Sequence, residues 1–242
     1  MNNNSSKFNL GGIFPPVTRN LIIINFLIWF AEMVLPRYGI DLISMFGLHY
    51  FQASEFNPFQ LVSYMFLHSN AGIDHVFFNM FSLWMFGGIV EQAWGQWRYL
   101  FFYLTCGVSA ALVQEAIWAI DLSSVAALGN EMVNVGNGMN MPASQLLNMA
   151  VTVGASGSIF GLLLAFGMLF PNNLIFFLFI PVPIKAKYFV IIYGLAELFL
   201  GVRSMGGGAD SVAHFAHLGG MLGGLILILL WRKKGHIHGP YN

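Results

Sequence analysis

Six apolar runs follow one another along this chain, at about residues 19–35, 73–92, 98–120, 156–170, 186–200 and 211–231. Prolines, glycines or charges stop them, as Pro36 stops the first and Pro171 the fourth. Roughly 20 apolar residues in a helix cross a hydrocarbon core about 30 Å thick. In water such runs would need a charged coat, yet only 8% of the 242 residues are charged, against roughly 25% in soluble domains. The expected fold class is therefore all-α: a polytopic membrane protein built as a six-transmembrane-helix bundle in the lipid bilayer. A formal net charge of zero leaves no basic footprint for nucleic acid. The single cysteine, Cys106, has no disulfide partner and makes no metal site.

The segments between the runs divide the chain into a polar N-terminal tail (1–16), a membrane domain (17–232) and a C-terminal tail (233–242). Residues 36–72 read as a structured loop at the membrane interface, with Tyr50, Phe51, Phe56 and Phe59 at headgroup depth. Residues 121–148 hold Gly129, Gly136, Gly138 and Pro142 and read as a long water-side loop ending in a short helix. Residues 174–185 are apolar but broken by Pro181 and Pro183, so they read as interfacial. Gly206 to Gly208 link the fifth and sixth runs, as a connector or as the hinge of a lid.

Six spans put both termini on one side. Lys7, Arg19, Arg98, Lys185, Lys187, Arg232, Lys233 and Lys234 fall on that side, and only Arg37 and Arg203 on the other. Loops rich in Lys and Arg stay cytoplasmic, so both termini are expected in the cytoplasm.

Polar groups inside spans are costly and mark functional sites. The second span holds His75 and Asn79 four residues apart, on one helix face. The fourth holds Ser156 and the sixth His214 and His217. At about 1.5 Å per residue, Ser156, His217, Asn79 and His75 all lie about 20 Å above the cytoplasmic boundary. Glu115 and Glu197 fall close to outer ends, where water would reach them.

Glycines give these groups a reason to meet. Gly154, Gly157 and Gly161 share offsets with His217, Gly220 and Gly224. Small residues four apart let two backbones approach closely, so facing the Gly157–Gly161 pair with Gly220–Gly224 brings Ser156 to His217. A serine hydroxyl becomes a nucleophile when a neighbouring base takes its proton, and a neutral imidazole can do so. The Ser156 amide at a helix N-terminus, with Asn79 and His75, can donate to an oxyanion. No carboxylate is assigned as a third member. Asp74 and Asp210 lie at or beyond span ends.

Gly154-Ala155-Ser156-Gly157, Ala216-His217-Leu218-Gly219-Gly220-Met221-Leu222-Gly223-Gly224 and His75-x-x-x-Asn79 resemble the Gly-x-Ser-Gly, Ala-His-x-x-Gly-x-x-x-Gly and His-x-x-x-Asn motifs of the rhomboid family of intramembrane serine proteases. Asn57 to His68, and Gly87 to Glu91 followed by Arg98, are similar to further family segments, so the resemblance covers about residues 17–232. It implies Ser156 as nucleophile, His217 as general base, and His75 and Asn79 with the Ser156 amide at the oxyanion site. It also implies hydrolysis of a peptide bond in or beside the transmembrane helix of a membrane-protein substrate, through an acyl-enzyme, with no metal or cofactor. The basic six-span form is usual in the bacterial inner membrane. Four residues after the serine the family often has a tyrosine stacked on the histidine; Phe160 keeps the ring and loses the hydroxyl.

Two other readings compete. A rhomboid-like relative that binds membrane clients without cleaving them would lack the serine or the histidine, and both are present. A transporter using His75, Asn79, His214 and His217 would need a polar path onward to the cytoplasm. A zinc protease would need a His-Glu-x-x-His segment, which is missing.

Overall fold

A computed structural model gives the architecture and describes residues 14–69, 72–136, 138–177, 180–205 and 213–235. Most of the two polar tails, the Gly206–Gly208 link and Asp210 lie outside the described residues. The chain is mostly helical.

Helix α1 (Pro16–Val34) continues in a 3₁₀ turn to Tyr38. Pro16 occupies its first turn, where the missing N–H costs nothing, so the helix starts ahead of the expected Arg19. Its buried positions are Thr18, Leu21, Asn25 and Glu32, while Ile23, Ile24, Leu27 and Phe30 face outward. A helix that hides polar groups and exposes apolar ones is arranged for lipid.

The next segment holds α2 (Leu42–Phe46), β1 (Leu48–His49) and α3 (Gln60–Ser63). Gln60 stitches it together: its Oε1 accepts from the His49 and Asn57 amides, and its Nε2 donates to the Met45 and Glu55 carbonyls. Of the aromatic residues expected at the interface, Tyr50 turns inward. It is buried against Ala53 and Leu147, whereas Phe51 and Phe59 are exposed.

The second apolar run is α4 (Asp74–Ser82), a π-helical turn (Leu83–Gly87) and α5 (Gly88–Trp94). Gly95 then turns the chain into α6 (Gln96–Asp121). The expected water-side loop contains α7 (Ser123–Ala126), a hairpin of β2 (Met132–Asn134) and β3 (Asn140–Pro142), and the expected short helix, α8 (Ala143–Asn148). Strand β4 (Val151–Thr152) pairs antiparallel with β1 and leads into α9 (Ser156–Leu169).

Residues 174–185 form a second hairpin, β5 (Leu174–Phe177) with β6 (Ile180–Lys185). Helices α10 (Ala186–Met205) and α11 (His214–Lys233) follow. An all-α expectation therefore misses these short antiparallel pairs. They lie where prolines and glycines forbid helix but backbone groups still need partners.

Among the described residues, three helices are long and apolar enough to cross a membrane: Pro16–Tyr38, Gln96–Asp121 and His214–Lys233. Of the other expected spans, the second is interrupted by the π-turn, the fourth has 14 residues, and the helix at the fifth, longer than the expected run, carries Lys187, Glu197 and Arg203.

Helix α9 is the centre of the core. Eleven of its 14 residues are buried, and α4, α6, α10 and α11 all touch it. A helix that is apolar all round belongs in an interior. At about 21 Å it is too short to span a core of about 30 Å. Both ends therefore cannot reach the two membrane surfaces, and the chain enters the helix from β4 of the β1–β4 pair. Irregular backbone at membrane depth is tolerated where protein surrounds it.

The expected glycine contact forms, with a third helix in it. A Cβ on Gly220 would fall 2.7 Å from the Gly157 carbonyl carbon and overlap its oxygen, and one on Gly224 would fall 3.4 Å from Gly161 Cα. A Cβ on Gly157 would meet Ala110 Cβ at 2.5 Å, and one on Gly161 would collide with Cys106. Ala110 and Cys106 belong to α6, so Gly157 and Gly161 accommodate α6 as well as α11. Gly219 and Gly223, which the two-helix reading leaves idle, press α11 onto Val113 and Ser109 of α6.

Candidate active site

Ser156 is the first residue of α9 and His217 sits in the first turn of α11, so the glycine contact sets the two helix starts side by side. Ser156 Oγ lies 2.8 Å from His217 Nε2. The His217 ring stacks on Phe160, with centroids 4.1 Å apart and planes 7° apart, and Tyr193 also stacks on Phe160, with centroids 5.2 Å apart. The ring without a hydroxyl thus keeps the stacking.

The partners of His217 fix its tautomer. Nδ1 lies 2.9 Å from Glu197 Oε2. An ionised carboxylate only accepts, so Nδ1 carries the proton and the Nε2 lone pair faces the serine. The Ser156 hydroxyl then donates to Nε2.

His75 is held the other way. The Ser69 backbone N–H lies 3.2 Å from His75 Nδ1. A backbone amide only donates, so Nδ1 accepts and Nε2 carries the proton. That N–H points at Gly154: a Cβ there would sit 3.0 Å from His75 Nε2 and 3.7 Å from Ser156 Oγ. Gly154 has φ +132°, a conformation that L side chains rarely adopt. Glycine therefore keeps open the space between an N–H donor and a serine oxygen. The amides that begin α9 have no partner within the helix and face the same end.

Asn79 is buried one turn below His75, and its Nδ2 donates to the His75 carbonyl 3.0 Å away. His68 caps the arrangement. Its amide donates to the Glu32 carboxylate on α1, and its ring lies edge-on to His75 with centroids 5.1 Å apart. Its ring is fully buried in the loop, which pushes its pKa down to about 3, and the nearby His75 pushes the same way. Ser158 is buried, with Oγ 3.5 Å from Met65 Sδ.

Sequence reasoning missed Glu197. Taken to end near Leu200, the fifth run puts this residue at a wet rim. Helix α10 instead continues to Met205, eight residues beyond Glu197, or about 12 Å. Glu197 is 7% exposed, and its Oε2 also lies 2.7 Å from His214 Nδ1. The available signal is the four-residue spacing of Phe189, Tyr193, Glu197 and Gly201, one face that follows His217 and Phe160. Glu115 is likewise buried, not wet, and accepts from the Phe51 amide. The donor atoms of Glu197, His214 and His217 lie within 4.8 Å of one another, a set that could hold a metal ion, where the sequence reading expects none.

The sequence matches the Rhomboid domain family over residues 55–234, about three quarters of the chain. This chain belongs to the rhomboid family. Among its relatives is the chloroplastic Rhomboid-like protein 11 of Arabidopsis thaliana, 29% identical over 217 residues, which cover 88% of this chain and 64% of that one. Another is the Rhomboid protease AarA of Providencia stuartii, 26% identical over 239 residues, covering 96% of this chain and 77% of that one. The chain thus spans just under two thirds of the length of the first relative. Family and apolar helices together make this rhomboid an integral membrane protein.

Proposed function

We propose that this rhomboid is an intramembrane serine endopeptidase that hydrolyses a peptide bond in or next to the transmembrane helix of other membrane proteins. The observation that carries the reading is the 2.8 Å contact from Ser156 Oγ to His217 Nε2, with the lone pair of His217 facing the hydroxyl. Likeness to a named rhomboid protease supports it.

The steps follow from the two tautomers. His217 Nε2 takes the Ser156 proton as Oγ attacks the scissile carbonyl. The oxygen of that carbonyl becomes negative in the space that Gly154 leaves open, where His75 Nε2–H and the first amides of α9 can donate and Asn79 lies one turn below. One such donor is typically worth about 3 kcal/mol in the transition state. His217 then passes its proton to the leaving amine, giving an acyl-enzyme on Ser156. Water, activated by His217, releases the second product. The protein's own groups carry every step.

The bundle we propose has six spans, with 1–16 and 233–242 as cytoplasmic tails in a bacterial inner membrane. The eight-to-two distribution of basic residues supports that orientation. The test is cleavage of single-span substrates by purified protein in detergent. Wild type should cut and Ser156→Ala or His217→Ala should not. Full activity in either variant would end the proposal.

A further inference from the structure

We infer that Glu197 is a positioning residue of the reaction, holding His217 in the tautomer and orientation that Ser156 requires. The inference rests on the serine-protease reading above and extends it from a pair to a chain of three groups, Glu197–His217–Ser156, drawn from three helices.

Glu197 comes from α10, His217 from α11 and Ser156 from α9. A carboxylate at this depth is costly unless it is held. Two imidazole N–H groups hold it, His214 Nδ1 at 2.7 Å and His217 Nδ1 at 2.9 Å, both on Oε2. Among the described residues, no other group bonds His217 Nδ1. Remove the carboxylate and that proton is free to sit on Nε2, where it would face Ser156 Oγ as a donor and leave the hydroxyl without a base. His214 bonds the same oxygen, which braces Oε2 while its bond to His217 orients the base.

The same contact acts during turnover. When the serine proton reaches Nε2, His217 becomes an imidazolium. Its charge then lies against the Glu197 carboxylate and over the face of Phe160, and both favour it. Glu197 takes no proton itself. No bond to it forms or breaks.

The experiment uses the full-length protein in detergent with a single-span substrate, comparing wild type, Glu197→Gln, Glu197→Asp and Ser156→Ala. Glu197→Gln should lower kcat by about 10²- to 10⁴-fold, the range seen when the orienting acid of a catalytic histidine is neutralised. KM should stay within about twofold, because nothing that touches substrate has changed. Glu197→Asp, which keeps the charge on a shorter arm, should fall between the two. A Glu197→Gln enzyme with wild-type kcat, beside an inactive Ser156→Ala, would overturn the inference and leave the protease reading standing. Loss of activity in which KM rises and kcat holds would also overturn it. If Glu197→Gln does not fold, Glu197→Asp decides: reduced kcat at unchanged KM and melting temperature supports the role, and wild-type kcat overturns it. Equal cleavage by wild type and Ser156→Ala would remove the protease reading and this inference together.

Discussion

Two histidines flank one serine in opposite tautomers, and each tautomer is set by a neighbour that can only donate or only accept. Glu197 makes His217 Nε2 an acceptor, and the Ser69 amide makes His75 Nε2 a donor. The space between His75 and Ser156 stays open because residue 154 lacks a Cβ. Gly154→Ala should therefore slow substrate cleavage by at least about tenfold, through the lost oxyanion space, with the protein still folded. A wild-type rate in that variant would contradict the assignment of the space. His68 gives a pH prediction. Its folded pKa is about 3, against an ordinary value of 6.5. Between those values the unfolded chain binds a proton that the folded chain refuses, so stability is full above 6.5 and falls as pH drops towards 3. By pH 5 the loss is about 2 kcal/mol. Melting temperature in detergent should therefore fall faster for wild type than for His68→Gln between pH 7 and pH 4, and parallel curves would refute the point. Ser156, His217, His75 and Asn79 were legible because each is polar in an apolar run. Glu197 was not, because the fifth run reads as ending near Leu200, ahead of Gly201 and Arg203, whereas α10 carries on through both to Met205.

At the scale of elements, α9 is held by contacts that glycine permits. The place of a Cβ on Gly220 is taken by the Gly157 backbone, which cannot move aside as a side chain could. Gly220→Val should push α11 from α9, separate His217 from Ser156 and reduce cleavage without touching either side chain. A wild-type rate would undo the glycine-contact argument. The start of α1 depends on Glu91, whose carboxylate accepts from the Val17 and Thr18 amides and the Thr18 hydroxyl. The carboxylate thus caps the first turn of α1 and ties it to α5. Glu91→Ala should cost about 2–3 kcal/mol and lower the melting temperature, while leaving the distance between Ser156 and His217 intact. An unchanged melting temperature would show that the cap is dispensable. The apolar runs located the helices to within a few residues, because span length and hydropathy are strong signals. The β1–β4 pair and the two hairpins were hidden, because short strands are chosen by tertiary partners and not by local pattern.

At the scale of the molecule, the position of the proposed nucleophile follows from a mismatch of lengths. Helix α9 is shorter than a membrane is thick, and its N-terminus, which the chain enters from β4, carries Ser156. Three longer helices, Pro16–Tyr38, Gln96–Asp121 and His214–Lys233, are long and apolar enough to cross a membrane, and the last two pack against α9. A chain arranged this way can present a helix N-terminus, a base and an N–H donor to a peptide bond below the membrane surface, while the surrounding helices keep most of the interior dry. That is the use proposed above for Ser156, in a chain of the rhomboid family. The most direct test is covalent. The purified protein should be treated with a fluorophosphonate and the adduct located by peptide mass. The account predicts one adduct, on Ser156, formed in the folded wild type and lost in His217→Ala and in heat-denatured protein. Labelling of Ser156 that is equally fast in His217→Ala, or a folded wild type that does not label at all, would contradict it.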